Sequence, residues 1–142
     1  MYQNILVAFD GSDGANAALS EAAELGRASG GSLTIARCAG SFQPDPNSRE
    51  PEESDPELEA TALASMEQAS ADLAGGLEPR LRVVAGHPPR ALLAVAEEIG
   101  ADLIVTGSRG RAMMPQAVLG RVSSALVSNA PCDVLVVQPR TG

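Results

Sequence analysis

This chain of 142 residues has very few aromatic residues and no lysine. It contains one tyrosine, two phenylalanines and no tryptophan, so a core has to be built from the aliphatic part of its 44% hydrophobic content. All ten basic residues are arginine. The lysine that contacts phosphates in a P-loop, or that forms a Schiff base, is therefore excluded.

Histidine and cysteine are scarce as well. The two cysteines, Cys38 and Cys132, are too few for a disulfide scaffold, and with a single histidine they do not indicate a zinc site. We predict that both cysteines are small buried residues at strand ends. The histidine, His87, precedes a Pro-Pro turn, and no Ser/His/Asp triad is predicted around it.

Hydropathy and charge argue against two kinds of partner. No apolar run approaches the roughly 20 residues of a transmembrane helix, and the first residues lack the basic and apolar pattern of a signal peptide. We therefore expect a cytoplasmic protein with no membrane partner. The net charge is −8, and seven acids with one arginine at residues 45–59 contribute −6 of it. We expect no nucleic-acid partner, because such an acidic chain lacks the basic surface that nucleic acid requires.

Apolar patterns along the chain predict strands and helices in strict alternation. Five apolar runs predict strands, at residues 4–9, 33–38, 80–85, 103–105 and 134–137. Helical spacing predicts helices at residues 15–29, 58–73 and 89–99, with a fourth that starts near Gly120 and reaches Asn129. Residues 41–56, rich in proline, serine and acid, are predicted as a mobile acidic loop. The pattern indicates one α/β domain over residues 1–142, with a doubly wound, five-stranded parallel sheet.

The segment at residues 101–129 carries the strongest sign of a ligand site. A buried strand is followed by Gly107 and Gly110, and Gly120 stands just before an amphipathic helix. Glycines let main-chain N–H groups approach a phosphate, and the start of a helix favours negative charge. An anion site is one interpretation; the other is that Gly107 and Gly110 are only turn residues.

The spacing Gly-x2-Gly-x9-Gly resembles the nucleotide-binding signature of the universal stress protein family. Arg121 stands where that family has Ser or Thr. The opening I-L-V-A-F-D-G-S and the closing A-P-C-D-V-L-V-V also resemble the first and last strands of the family, so the resemblance covers nearly the whole chain. It implies a three-layer, Rossmann-like fold of the adenine nucleotide alpha hydrolase type, with strand order 3-2-1-4-5.

The resemblance also implies a site for ATP, ADP or AMP, with or without Mg²⁺. The implied contacts are Ala8, Asp10, Cys38, Thr106, Gly107, Gly110, Gly120, Arg121, Val122 and Ser123. Asp10 would meet the nucleoside and help to hold Mg²⁺ bound to the nucleotide, while the main chain of Cys38 would meet the adenine edge. Residues from Gly110 onwards would line the phosphates, largely through main-chain groups. The residues alone favour an N-cap or turn acid for Asp10, and the family resemblance favours the ligand contact.

The family resemblance implies a nucleotide-binding sensor or regulator in the stress response, and no catalytic residue is predicted. Two alternatives stay open: a dimeric interaction module that binds no nucleotide, and a slow ATP hydrolase. Three positions are open for the Arg121 side chain: it binds a phosphate, it fills the pocket, or it points to solvent. The absence of an evident general base argues against the hydrolase.

The last predicted strand is apolar at four consecutive positions and would lie at an edge of the sheet. Pairing of residues Asp133 to Gln138 between two copies would satisfy its outer main-chain groups, and the family resemblance implies the same homodimer. The alternative is a monomer in which the C-terminal residues or a helix cover this strand. Arg80 and Arg82 alternate with apolar residues in the third strand, which suits the opposite edge.

Overall fold

The computed structural model describes residues 2–39, 56–108 and 120–139. In chain order the elements are β1 (Asn4–Ala8), α1 (Asp13–Ser29), β2 (Ser32–Cys38), α2 (Pro56–Leu73), β3 (Arg80–Val84), α3 (Pro88–Ile99), β4 (Leu103–Gly107), α4 (Arg121–Asn129) and β5 (Asp133–Val137). The five strands form one parallel sheet in the order β3-β2-β1-β4-β5. The predicted fold class and strand order are confirmed.

Helices cover both faces of the sheet. Ile5 and Val7 of β1 pack in a cluster with α1 and α2, whereas Leu6 and Ala8 pack in a second cluster with α3 and α4. This alternation follows from the pleat of a strand, which sends successive side chains to opposite faces. Both clusters are built mainly from aliphatic side chains, as the scarcity of aromatic residues predicts.

The helices begin and end at residues suited to those positions. Ser12 is the N-cap of α1 and accepts a hydrogen bond of 3.1 Å from the N–H of Ala15. Gly30 ends α1 in the left-handed conformation, with φ 69°. Helix α2 begins at Pro56, since proline is well suited to the first turn of a helix. The sequence analysis had placed Pro56 in the acidic loop. The rest of that predicted loop, residues 41–55, lies outside the described residues.

The amino end of the sheet is tied together by two acidic side chains. The Asp102 carboxylate accepts the N–H groups of Gln3 at 2.8 Å and of Asn4 at 3.0 Å, at the start of β1. The hydroxyl of Tyr2 donates a hydrogen bond of 2.7 Å to Asp133, the first residue of β5. These contacts fasten β1 to β4 and β5 at the end of the sheet opposite the predicted site.

The two edges of the sheet differ in charge. At the β3 edge, Arg82 forms an ion pair of 2.8 Å with Glu98 of α3, as an edge protected by charged residues would. At the β5 edge Leu135 is 37% exposed. The half-buried Cys38 and Cys132 lie at the end of β2 and just before β5, so their predicted positions are right and their predicted burial is only partial. Within the described residues, no helix combines the length and the apolar character needed to cross a membrane.

Candidate functional site

The candidate site lies at the carboxyl ends of β1 and β4. These neighbouring strands are last paired at Val7 and Val105, and the chain leaves them toward helices on opposite faces of the sheet. Asp10 and Ser108 each follow that pair by three residues. In open α/β sheets a ligand crevice forms at this switch in strand order, so the fold brings together the carboxyl ends of the two strands that the sequence singled out.

Asp10 is held in the turn between β1 and α1. Its Oδ1 accepts the N–H of Ser12 at 2.9 Å and also the hydroxyl of Ser12. Ser12 in turn accepts the N–H of Ala15 at 3.1 Å. Asp10 therefore has the turn role that was the alternative interpretation. Within the described residues its Oδ2 accepts no hydrogen bond, and the half-buried carboxylate keeps one oxygen for a ligand.

Ser108 joins the end of β4 to the start of α4. Its carbonyl oxygen accepts the N–H of Gly120 at 2.7 Å and the hydroxyl of Ser123 at 3.0 Å. The Ser123 hydroxyl also lies 3.0 Å from the carbonyl oxygen of Gly120. Both serines are buried. The Ser123 hydroxyl is thus hydrogen-bonded to main-chain carbonyl groups. The main-chain N–H of Ser123 is the group of this residue that can donate to a ligand.

The start of α4 is chemically suited to an anion. Gly120 is its N-cap and provides no side-chain hydrogen bond, and the first turn contains no acid. The first turn instead begins with the exposed Arg121, and its second residue is the half-buried Val122. The start of α1 differs, because Ser12 caps it and Asp13 lies in its first turn. A phosphate would therefore be favoured at α4 over α1.

Strand β2 supplies a third side of the crevice. It continues to Cys38, two residues past Ala36, which pairs with the last residue of β1. The N–H of Ala39 bonds to Val84 on the β3 side, and main-chain groups alternate between the two sides of a strand. The main chain of Cys38 therefore points toward the β1 side, beyond the end of β1. Its thiol donates to the carbonyl oxygen of Gly86 at 3.1 Å.

Ala8 and Thr106 form buried ends of the two central strands. Ala8 is 7% exposed and Thr106 is 4% exposed. The Thr106 hydroxyl donates to the carbonyl oxygen of Gly107 at 3.3 Å. By the alternation of the strands, both side chains lie on the sheet face that α3 and α4 cover.

Gly107 is the last residue of β4 and not part of a turn. It pairs with Val137 of β5, and neither it nor Gly120 has a positive φ. The turn interpretation is therefore wrong for Gly107. A Cβ atom on Gly107 would lie 2.7 Å from the carbonyl carbon of Gly14 in the first turn of α1. Close packing of helix on strand is what excludes a side chain here. Gly110, the second glycine of the motif, lies outside the described residues.

Arg37 is a residue near the site that the sequence analysis missed. Its Nη1 would lie 3.3 Å from a Cβ atom on Gly11, and it donates to the hydroxyl of Ser65 at 3.2 Å. The guanidinium also lies 6.0 Å from the centre of the Phe9 ring. The available signal was a single cation near the carboxyl end of an otherwise uncharged second strand. Among the described residues, no cluster of three His, Cys, Asp or Glu side chains is placed to hold a metal ion.

Sequence comparison gives a consistent family match. The model of the universal stress protein family matches residues 1–138. A relative from Staphylococcus haemolyticus named for that family is 34% identical, with 96% of this chain and 85% of the relative covered. A universal stress protein of Thermus aquaticus is 31% identical, with 97% of this chain and 100% of the relative covered.

Structure comparison gives the same family. A universal stress protein solved in complex with cAMP has a TM-score of 0.74 and 30% identity, and 98% of each chain is covered. A universal stress protein from Lactobacillus plantarum has a TM-score of 0.77 and 25% identity, with 96% of this chain and 97% of the other covered.

Proposed function

Because this chain belongs to the universal stress protein family, we propose that it binds an adenine nucleotide in the crevice between β1 and β4. The observation that carries the proposal is the start of α4, where a first turn without a side-chain cap and without acids faces the end of β4. The relative solved in complex with cAMP supports an adenine nucleotide as the ligand. We propose ATP as the nucleotide, with ADP and AMP as alternatives, and with any Mg²⁺ brought by the phosphates.

The phosphates would lie at the α4 end of the crevice. The N–H groups of Val122 and Ser123 belong to the first turn, whose donors have no partner within the helix. The helix dipole adds to the attraction for an anion. Arg121 adds a positive charge at the same point. Its exposure lets the guanidinium fold over a phosphate without displacing buried atoms.

The nucleoside would lie over the ends of β1 and β2. Asp10 has one carboxylate oxygen held by Ser12 and a second oxygen to accept a ribose hydroxyl. The main chain of Cys38 faces the same space and can bond to the edge of the adenine ring. Ala8 and Thr106, whose side chains are small, would lie beside the nucleoside near the ends of β1 and β4.

We propose a sensor or regulator of the stress response and not an enzyme. Hydrolysis of ATP needs a group that activates water, and we assign the two carboxylate oxygens of Asp10 to its turn and to the ribose. His87 lies at the start of α3, beyond the end of β3. Binding without turnover is the function that this arrangement serves best.

Nucleotide released from the purified protein, identified by mass spectrometry, tests the proposal. Calorimetry with ATP, AMP and cAMP, with and without Mg²⁺, gives the affinities. Asp10→Asn should weaken binding, whereas Asp13→Asn, an exposed acid in the first turn of α1, should not. If the unmodified protein binds none of these nucleotides, the interaction module without a nucleotide becomes the better interpretation. Phosphate release with repeated turnover of ATP would favour the hydrolase.

We also propose that two copies pair through β5. The N–H of Ser108 bonds to the carbonyl oxygen of Val137, so the main chain of Val137 faces β4. Because main-chain groups alternate, those of Val134 and Val136 face the open edge of the sheet. The half-exposed aliphatic side chains of this strand would be covered by the same pairing.

A further inference from the structure

We propose that Gly107 acts as a positioning residue for Asp10, through its contact with Gly14. The inference rests on the proposed nucleotide site, because Asp10 is the nucleoside contact in that site. It assigns the first glycine of the motif a role in helix packing, and not in the approach of the ligand. Gly107 is the last residue of β4, and Gly14 lies in the first turn of α1.

The contact leaves no room for a side chain on Gly107. A Cβ atom there would lie 2.7 Å from the carbonyl carbon, 2.9 Å from the carbonyl oxygen and 3.0 Å from the Cα of Gly14. All three are main-chain atoms, so rotation of a side chain cannot relieve the clash. The first turn of α1 or the end of β4 would have to move by several tenths of an ångström.

The Cβ direction at Gly107 also points away from the ligand. Val105 packs in the cluster on the α1 face, and Gly107, two residues further along the strand, faces the same side. The three nearest atoms to its Cβ position all belong to Gly14. A methyl group at this position would therefore enter the helix contact before it met a nucleotide over the strand ends.

Gly14 lies within a turn whose hydrogen bonds join Ala15, Ser12 and Asp10. Gly14 lies between Ser12 and Ala15, which are joined by the 3.1 Å bond from the Ala15 N–H to the Ser12 hydroxyl oxygen. The N–H and hydroxyl of Ser12 then donate to Oδ1 of Asp10. If Gly14 is displaced, the turn at Ser12 moves with it. The position of the Asp10 carboxylate therefore depends on the absence of a side chain at Gly107.

Gly107→Ala tests the packing step, with Gly31→Ala as its matched control. A Cβ atom on Gly31 would lie 2.6 Å from the carbonyl oxygen of Tyr2, a comparable clash at the opposite end of the sheet. Neither glycine has a positive φ, so alanine suits both backbones. In protein without ligand, Gly107→Ala should speed amide exchange at Ala15 about tenfold relative to Gly31→Ala. Equal exchange in the two variants overturns the packing step, whether or not any nucleotide binds.

A double-mutant cycle with ATP tests the connection to Asp10. Gly107→Ala and Asp10→Asn should each weaken ATP binding about tenfold, and the double variant by about the same factor, because both changes act on one carboxylate. A loss of about a hundredfold in the double variant would mean independent effects and would overturn the inference. Gly31→Ala should keep the affinity of the unmodified protein.

Ser12→Ala carries the same test if Gly107→Ala does not fold. This substitution removes the two hydrogen bonds of the Ser12 hydroxyl, to Asp10 and from Ala15, and introduces no steric clash. Its loss of ATP affinity should again fail to add to that of Asp10→Asn, and an unchanged affinity in Ser12→Ala would overturn the inference. If the unmodified protein binds no ATP, AMP or cAMP, the proposed function fails separately, and the exchange experiment still decides the packing step.

Discussion

The buried hydroxyl of Ser123 donates a hydrogen bond of 3.0 Å to the carbonyl oxygen of Ser108, which joins the first turn of α4 to the end of β4. The N–H of Gly120 reaches the same oxygen at 2.7 Å. Two donors on one carbonyl hold the two ends of the glycine motif together. The start of α4 therefore keeps its position at the crevice through contacts that involve no ligand.

Ser123→Ala should lower the free energy of unfolding by about 1 kcal/mol, because a buried hydrogen bond is lost. Urea unfolding measures the change. Ser124→Ala, at the next position of α4, is the matched control, since Ser124 is exposed. Equal urea midpoints for the two variants would mean that the Ser123 hydroxyl contributes no net stability.

Arg121→Ala should weaken ATP binding by about 1.5–3 kcal/mol, the range of hydrogen bonds to charged groups. The affinity for adenosine should hardly change, because it has no phosphate. Calorimetry with both ligands measures the difference. Arg90→Ala is the control, since Arg90 is an exposed arginine in the first turn of another helix, α3.

The sign of the Arg121 effect distinguishes the three interpretations of that residue. If the guanidinium fills the pocket, Arg121→Ser should increase the affinity for ATP. If the side chain points to solvent, neither Arg121→Ala nor Arg121→Ser should change it. Either result would contradict the proposed phosphate contact.

Leu135→Lys should shift the protein from dimer to monomer in sedimentation at micromolar concentration. The change puts a charge on the strand that we propose to pair between copies. Leu63→Lys on α2 is a close control, because Leu63 is 38% exposed and Leu135 is 37% exposed. Val136→Pro should act in the same direction, since it removes an N–H from the open edge and keeps the bonds to β4. A stable monomer of the unmodified protein would contradict the prediction.

Asp102→Asn should remove part of the pH dependence of stability in acid. Burial raises the pKa of Asp102, but hydrogen bonds from the N–H groups of Gln3 and Asn4 outweigh it and bring the pKa below its ordinary 3.8. A carboxyl with a lowered pKa stabilises the fold above its unfolded pKa, and this contribution disappears as the pH falls through the folded pKa. Urea unfolding should separate Asp102→Asn from the unmodified protein at pH 7, by about 1 kcal/mol, and less at pH 3. A difference that does not change with pH would contradict this explanation.

The sequence predicted the architecture because its signals are local. Four strands are short apolar runs, the third alternates arginine with apolar residues, and each helix has a repeated apolar spacing. The alternation of strands and helices then implies a parallel sheet. Adjacency of β1 and β4 came from the family resemblance, since periodicity within an element says nothing about which elements are neighbours. The Pro56 boundary was missed because acid and proline suit both a loop and the first turn of a helix.

The roles of individual site residues were harder to predict because they depend on residues distant in sequence. Gly107 fits a turn by its type, and only its contact with Gly14 gives its packing role. Ser123 fits a phosphate contact by its place in the motif, whereas its hydroxyl is used by Ser108. In the sequence, Arg37 looks like an ordinary surface charge. Only the fold shows that its guanidinium lies at the turn that contains Gly11.

Ser108 connects the start of α4, at the crevice, to β5, at the open edge of the sheet. Its carbonyl oxygen binds the start of α4, and its N–H donates to Val137 of β5 at 2.9 Å. A nucleotide that shifts Ser108 would change the dissociation constant of a β5 dimer. By reciprocity, dimerisation would then change the nucleotide affinity by the same factor. A single residue, Ser108, would then let the concentration of the protein itself set the level of nucleotide to which it responds.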